Sequence, residues 1–479
     1  MNKTFLIFLM SIFCVVFTTA QILSDKGLNE FLNHPDIAPA SVGLQLRKGS
    51  TGEILLAKNA DKLLLPASIQ KLYTTAYAID KLPNDYRFKT HVYYSGSIDA
   101  SKNELLGDLF IKTSGDPSLE SRYYPQYSFL GEIKRELAEL NITSIRGQLV
   151  VLPDYDNYQV NSQWLWGDLG NYYGAGFSTH TFMDNYVEVF FKSSSTSGDS
   201  TIIEKIHPHL DEFYIDNKVV SGDTKWDLSY AFGAPYQYER FMIGEIPKNK
   251  NGYAVKIAMH DPKEFLIKSV LQTVREIGIE FKRDTSISYD PKDSKNKLLI
   301  YRSPDIGELV KFTNYKSNNN FAEHLLLKAV NVPIDKGELE KAASLMQEYW
   351  QEKINVKNEI LFFDGSGLSR KNLTSANAMN QLLMYELNQS DSTDKSQFFT
   401  SLPVAGESGT LKYLGAGSEI RGNFTGKSGS MGSVRSYTGY FLKENEYYPF
   451  TIIVNNFTVK NSMVRKHVEK LMINIYHQL

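Results

Sequence analysis

The chain has 479 residues, 42% hydrophobic and 22% charged, a globular composition long enough for roughly three domain-sized units. A net charge of −2 without a basic tract argues against nucleic acid as a partner. A single cysteine, Cys14, excludes a disulfide framework.

Taken in order, the chain opens on Lys3, a near-apolar run from Phe5 to Phe17, and the small-residue stretch Thr18-Thr19-Ala20. This predicts a signal peptide over residues 1–20, cleaved before Gln21, and export across the inner membrane to the periplasm. The apolar run is shorter than the roughly 20 residues a membrane helix needs, and no later run looks transmembrane. If cleaved there, the mature chain keeps no cysteine, which excludes thiol catalysis as well. Ala40 to Lys48 and Glu53 to Asn59 then read as two strands around the turn Gly49-Ser50-Thr51-Gly52.

Next comes Pro66-Ala67-Ser68-Ile69-Gln70-Lys71-Leu72-Tyr73. Leu72, Thr75, Ala76, Ile79 and Leu82 follow at three- and four-residue spacing, which predicts a helix from Ser68 with Pro66 at its start. Residues three apart on a helix share a face at about 5–6 Å, so the Lys71 amine reaches the Ser68 hydroxyl. A neutral lysine there is a base for a serine nucleophile. Alone the signal is weak, because many surface helices contain Ser-x-x-Lys.

From about Phe88 to Lys297 the texture is short alternating strands broken by Gly, Asp, Asn and Ser, closed by a helix over 262–278. A polar piece at about 193–250 reads as a smaller nested unit. Asp116 in Ser-Gly-Asp-Pro-Ser-Leu reads as a turn residue. His207-Pro208-His209 lacks partners at metal-ligand spacing and reads as a loop, so no metal is expected.

Long helices return at 304–330 and 336–352. Within the first, Ser317 and Asn319 sit two apart in a turn before a helix, a place where N-caps are common. Three strands (422–431, 433–443 and 447–457) and an amphipathic helix with Val464, Val468, Leu471, Met472 and Ile475 on one face end the chain. The first of these strands contains Lys427-Ser428-Gly429-Ser430, where glycine marks either a bulge or close approach by a ligand or backbone.

In order, the three stretches read Ser-x-x-Lys, Ser-x-Asn and Lys-Ser-Gly, the motif set of penicillin-binding proteins and class A β-lactamases. The likeness extends to SGDPSL at 114–119, SNNNFAEHLL at 317–326, DGSGLSRKN at 364–372, LPVAGESGTL at 402–411 and GKSGSMGSVRSYTGY at 426–440. The chain resembles the D-alanyl-D-alanine carboxypeptidase/endopeptidase family, the S13 peptidases, over nearly its whole mature length. The 246 positions between Lys71 and Ser317 match the long insertion of that family.

The resemblance implies an α/β (α+β) serine transpeptidase/β-lactamase-like fold, an antiparallel sheet flanked by helices with a large β-rich insertion. The catalytic domain is expected at 21–89 and 298–479, with the insertion at 90–297 and its nested subdomain at about 190–250. The activity implied is hydrolysis of D-alanyl-D-alanine or D-alanyl-diamino acid bonds in peptidoglycan stem peptides, through an acyl-enzyme on Ser68, with β-lactams as covalent inhibitors. No cofactor is implied, and a homodimer, which occurs among relatives, is left open.

By the same resemblance Lys71 is the base, kept neutral by burial and by the Lys427 cation. The backbone N–H groups of Ser68 and Ser430 hold the oxyanion, helped by the positive end of the Ser68 helix. Ser317 relays a proton to the leaving amine with help from Lys427, Asn319 binds the peptide carbonyl and orients Lys71, and Ser428 and Ser430 hold the terminal carboxylate across Gly429. Ser428 stands where threonine is commoner, a difference of one methyl group. The acidic residue that the family places after a strand of the insertion is replaced by Leu152, with Asp154 two positions on. A β-lactamase is the alternative enzyme, and a non-catalytic wall-binding protein the alternative from another class.

Overall fold

The computed structural model describes residues 26–152, 159–209, 212–282, 296–330, 339–389 and 397–479. The expected signal peptide, Cys14 and Asp154 lie outside the described residues.

The sheet that carries the site has five antiparallel strands in the order Phe424–Met431, Val434–Lys443, Glu446–Asn455, Ser41–Arg47, Ile54–Lys58. Ser41–Arg47 lies inside the sheet, and its five central residues are buried on both faces. One face is covered by the helix Asn461–Gln478, whose Val464, Val468, Leu471, Met472 and Ile475 pack with Leu44, Leu46, Phe441 and Ile452. The other face carries the helices Lys71–Lys81, Asn319–Ala329, Leu339–Lys353 and Ala376–Gln389 around Tyr73, Phe321, Trp350 and Leu382.

The chain leaves this unit at Phe88 and returns at Ser303. The two crossings are tied by Phe88 N–H to Ser303 Oγ at 2.9 Å and Ser303 N–H to the Phe88 carbonyl at 3.1 Å. Between them a third core gathers Val92, Phe129, Val189, Met242, Val270 and Tyr301 under four small sheets. Parallel pairings occur here, Leu109–Lys112 with Leu149–Leu152 and Tyr214–Gly222 with Glu239–Pro247. Strand periodicity does not reveal them, because it reports faces and not partners. The helix expected at 262–278 spans Pro262–Glu276, capped by Asp261 accepting from the N–H groups of Lys263 and Glu264. Of the expected loop 207–209, His207 closes the strand Ile202–His207.

The helical stretch expected at 304–330, with its turn at Ser317 to Asn319, is two helices, Ile306–Lys316 and Asn319–Ala329. Ser317 breaks them in the left-handed region at φ 56°, ψ 38°. The capping residue is Asn318, whose side chain accepts from Phe321 N–H at 3.1 Å. That leaves the side chains of Ser317 and Asn319 for other partners.

Candidate active site

The helix expected from Ser68 begins differently. Ala67–Gln70 is a 3-10 turn and the α-helix starts at Lys71. Residues three apart eclipse on a 3-10 turn, so Lys71 stands over Ser68 more directly than an α-helix would put it. Side chains on helices also lean toward the N-terminus, which carries the lysine back to the serine. Lys71 Nζ is 3.2 Å from Ser68 Oγ. Ala67 holds the turn at φ 50°, a left-handed conformation costing a non-glycine residue on the order of 1–3 kcal/mol.

Lys71 is fully buried and donates to Asn319 Oδ1 at 2.6 Å and to the Ser366 carbonyl at 2.7 Å. The other end of the Asn319 amide donates to the Tyr173 carbonyl at 2.7 Å. The N–H expected to meet a substrate carbonyl is therefore engaged by the insertion. Lys427, also fully buried, donates to Ser317 Oγ at 2.8 Å and to the Ser428 carbonyl at 2.7 Å.

Gly429 brings the edge strand Phe424–Met431 against the Ala67–Gln70 turn. A Cβ there would strike Ser436 Oγ, lie 2.6 Å from the Pro66 carbonyl oxygen and 3.1 Å from Ser68 N. Close approach of a backbone, one of the two readings of this glycine, is what the fold uses. Ser436 fixes the same junction by donating to the Pro66 carbonyl at 2.6 Å. Ser430 is exposed at the cleft and its Oγ accepts from Asn461 at 3.2 Å, while Ser428 is half-buried.

The floor is Asp364-Gly365-Ser366-Gly367. Four donors converge on the buried Asp364 carboxylate: Trp164 Nε1, Gly367 N–H, Ser369 N–H and Asn372 Nδ2, at 2.6–2.8 Å. Glu323 accepts from Gly365 N–H at 2.7 Å and Ser366 N–H at 2.9 Å. This lattice aims the Ser366 carbonyl at Lys71. Gly367, at φ 80°, passes so close under the Ala67 carbonyl that no side chain fits.

Burial lowers the Lys71 pKa to about 8, and the carboxylates of Glu323 and Asp364 oppose the shift. Burial, with the Asp364 charge second, raises Glu323. Lys427 is held well below an ordinary lysine by burial first and by the Lys71 charge second. Burial, expected at Lys71, is the first cause at both lysines, and the charges of the two amines repel each other.

Ser68, Ser317, Asn319 and Ser430 open onto a cavity of about 660 Å³, whose far wall comes from the insertion through Leu165, Asp168, Tyr172 and Tyr173. Together these elements make a serine, two buried lysines and an edge strand facing one cleft. A description of the D-Ala-D-Ala carboxypeptidase 3 (S13) family matches residues 24–479. The chain belongs to that family.

As an S13 peptidase it is a serine-type DD-peptidase. Its curated relatives include D-alanyl-D-alanine carboxypeptidase DacB of Haemophilus influenzae, 23% identical over 92% of this chain and 91% of the relative. The D-alanyl-D-alanine carboxypeptidase of Actinomadura sp. strain R39 is 26% identical over 90% of this chain and 80% of its own. Penicillin-binding protein 4 of Haemophilus influenzae shares the fold at a TM-score of 0.79, with 19% identity, covering 94% of this chain and 98% of that one.

Several residues of the site escape sequence reasoning. Asp364 to Gly367 read from the sequence as part of the cleft floor without a defined chemical role; what escapes there is that the Ser366 carbonyl faces Lys71 and that Glu323 accepts from the backbone N–H groups of the run. Asn161, Trp164 and Tyr173 reach the floor and Asn319 from the insertion, at separations that no local pattern reports. Asp168 and Arg370 add one charge of each sign to the cleft wall; burial raises the Asp168 pKa and Arg370 pulls it back. Asp116 caps its turn by accepting from Ser118 N–H and Oγ, and burial raises its pKa to about 6. Among the described residues one group, His34, Asp36 and His467, gathers at metal-ligand spacing. It lies beside the terminal helix, where His467 and Asp36 pair at 2.9 Å.

Proposed function

We propose that the protein is an exported, periplasmic DD-peptidase that cleaves peptidoglycan stem peptides through an acyl-enzyme on Ser68 and is trapped there by β-lactams. The hydrogen-bond set of Lys71 carries this reading. A neutral amine has two N–H bonds and one lone pair. Asn319 Oδ1 and the Ser366 carbonyl take the two N–H bonds, which leaves the lone pair for the Ser68 hydroxyl proton at a heavy-atom distance of 3.2 Å.

Ser68 Oγ attacks the carbonyl carbon of the D-alanyl peptide bond while its proton passes to Lys71. The oxyanion is received by the backbone N–H groups of Ser68 and Ser430. Ser317, held by Lys427, relays the proton from Lys71 to the leaving amine as the C–N bond breaks, and the neutral Lys71 then takes a proton from the water that hydrolyses the ester. Ser428 and Ser430 hold the terminal carboxylate, with Lys427 behind them. For Asn319 to meet the substrate carbonyl, its amide must exchange the Tyr173 carbonyl for it. The bonds proposed as substrates are those of D-alanyl-D-alanine ends and/or D-alanyl-diamino acid cross-links.

Intact mass after mixing with benzylpenicillin tests the acyl-enzyme, and D-alanine release from a stem pentapeptide tests the reaction. One penicilloyl adduct that persists for many minutes is expected. Rapid turnover of the adduct would favour a β-lactamase; no adduct and no D-alanine would leave a non-catalytic wall-binding protein.

The acylation rate should rise with pH through about 8, because only the neutral Lys71 amine accepts the serine proton. Stopped-flow acylation between pH 6 and 9 measures this; a flat profile would remove Lys71 from the step. Gly429→Ala should slow acylation by about 10²-fold by pushing the edge strand off the nucleophile turn, since a misplacement near 1 Å has that cost. A Gly429→Ala protein that acylates at the wild-type rate would contradict the close approach.

A further inference from the structure

A second concave site lies where the insertion joins the catalytic unit, and the mechanism makes no use of it. It is a cavity of about 480 Å³ lined by Arg87, Lys89, His91, Lys112, Arg302 and Lys328. Five full cations thus share one recess on a chain whose net charge is only −2. One acid, Asp85, lines it with them, and Asp305 pairs with Arg87 at 3.3 Å.

The strand register makes the crowding costly. Lys89 and Arg302 are directly opposed across the antiparallel pair Lys89–Tyr94 with Asn296–Arg302. Like charges in that relation stand about 5 Å apart at their Cβ atoms and destabilise a sheet. On the next rung, His91 faces Lys112 of the neighbouring strand. Lys328 reaches the same recess from the last turn of the helix Asn319–Ala329. Lys89, Arg302 and Lys328 have no carboxylate partner among the described residues. The Ser114 hydroxyl, which also lines the cavity, is buried there without a hydrogen-bond partner.

We infer that this recess is a binding site for a compact multivalent oxyanion of the phosphate class. Arginine forks and lysine ammonium groups converging on one point match phosphate oxygens, and the orphan Ser114 hydroxyl supplies a further donor. The anion offsets the repulsion between Lys89 and Arg302 and links the chain's exit into the insertion at Arg87 and Lys89 to its return at Arg302. The same phosphate chemistry is carried by soluble or polymer-borne phosphates and by lipid headgroups.

Calorimetry and thermal melts with inorganic pyrophosphate, at ionic strength matched with sodium chloride, test the site in the full-length protein. Saturable binding that raises the melting temperature is expected for the wild type. The double variant Lys89→Gln/Arg302→Gln should bind about tenfold more weakly or worse. Without pyrophosphate, at low salt, it should melt no lower than the wild type, because an opposed pair of like charges has gone. Lys328→Gln, on the helix side, should weaken binding independently. Benzylpenicillin acylation should be unchanged in all of them, so the site stands or falls separately from the catalytic reading. Pelleting with phosphatidylglycerol but not phosphatidylcholine vesicles, lost in the double variant, would assign the phosphate to a lipid headgroup; pyrophosphate binding without pelleting would assign a soluble or polymer-borne phosphate. No pyrophosphate-dependent shift in the wild type, or the same affinity in the double variant, overturns the inference.

Discussion

In Ser68→Ala, benzylpenicillin should leave no covalent adduct and D-alanine release should fall by about 10⁶-fold, the loss that follows removal of a serine nucleophile whose partners act as a unit. Stability should change little. Ser68 is half-buried, and its hydroxyl contacts Lys71, which keeps Asn319 Oδ1 and the Ser366 carbonyl as partners when the hydroxyl goes. Matched thermal melts with intact mass separate the two effects. A penicilloyl adduct that persists on the Ser68→Ala protein would move the nucleophile elsewhere and sink the proposed chemistry.

Lys71→Ala carries the second large effect, and it is two effects at once. Loss of a positioned base should slow acylation by about 10²–10⁴-fold while the residual adduct still forms on Ser68. The half-buried Asn319 Oδ1 and the buried Ser366 carbonyl also lose their donor, and an unsatisfied buried group costs about 1–3 kcal/mol. The kinetic signature distinguishes base from scaffold: the rise of acylation through pH 8 should vanish in Lys71→Ala and survive in Ser317→Ala. Glu323→Gln tests the electrostatics with the opposite sign. The Glu323 carboxylate holds the Lys71 pKa up, so its removal should move the rise to lower pH. A shift to higher pH would contradict the origin assigned to the lowered amine.

Ser68 and Lys71 are legible in the sequence because one helical turn relates them, and any three-residue spacing reports that face. Lys427 and Gly429 are legible because glycine in a strand needs a reason. What hides is contact made by backbone. The Ser366 carbonyl aims at Lys71 from 295 positions away, and a carbonyl leaves no mark in composition or period. The left-handed Ala67 hides for a related reason, since it is not a glycine and the chain gives no warning that it turns there; at Ser317 the turn is legible but its left-handed conformation is not. The weight of burial at Lys71 and Lys427 is hidden as well, because it cannot be judged before the fold is known.

The antiparallel sheet has a further consequence, for timing. The strand Ser41–Arg47 is laid down early, yet it sits between Ile54–Lys58 and Glu446–Asn455, one of them nearby in the chain and the other about its whole length away. Lys427 and the edge strand arrive late too, and the ladder partner of that strand, Val434–Lys443, lies still closer to the end. A nascent chain therefore carries its serine and first lysine for most of synthesis without the rest of the cleft. Pairings of such long range are also slow to form. Reactivity toward a D-alanyl bond is thus a property acquired at completion, and a chain stopped anywhere before residue 424 should be inert while it waits.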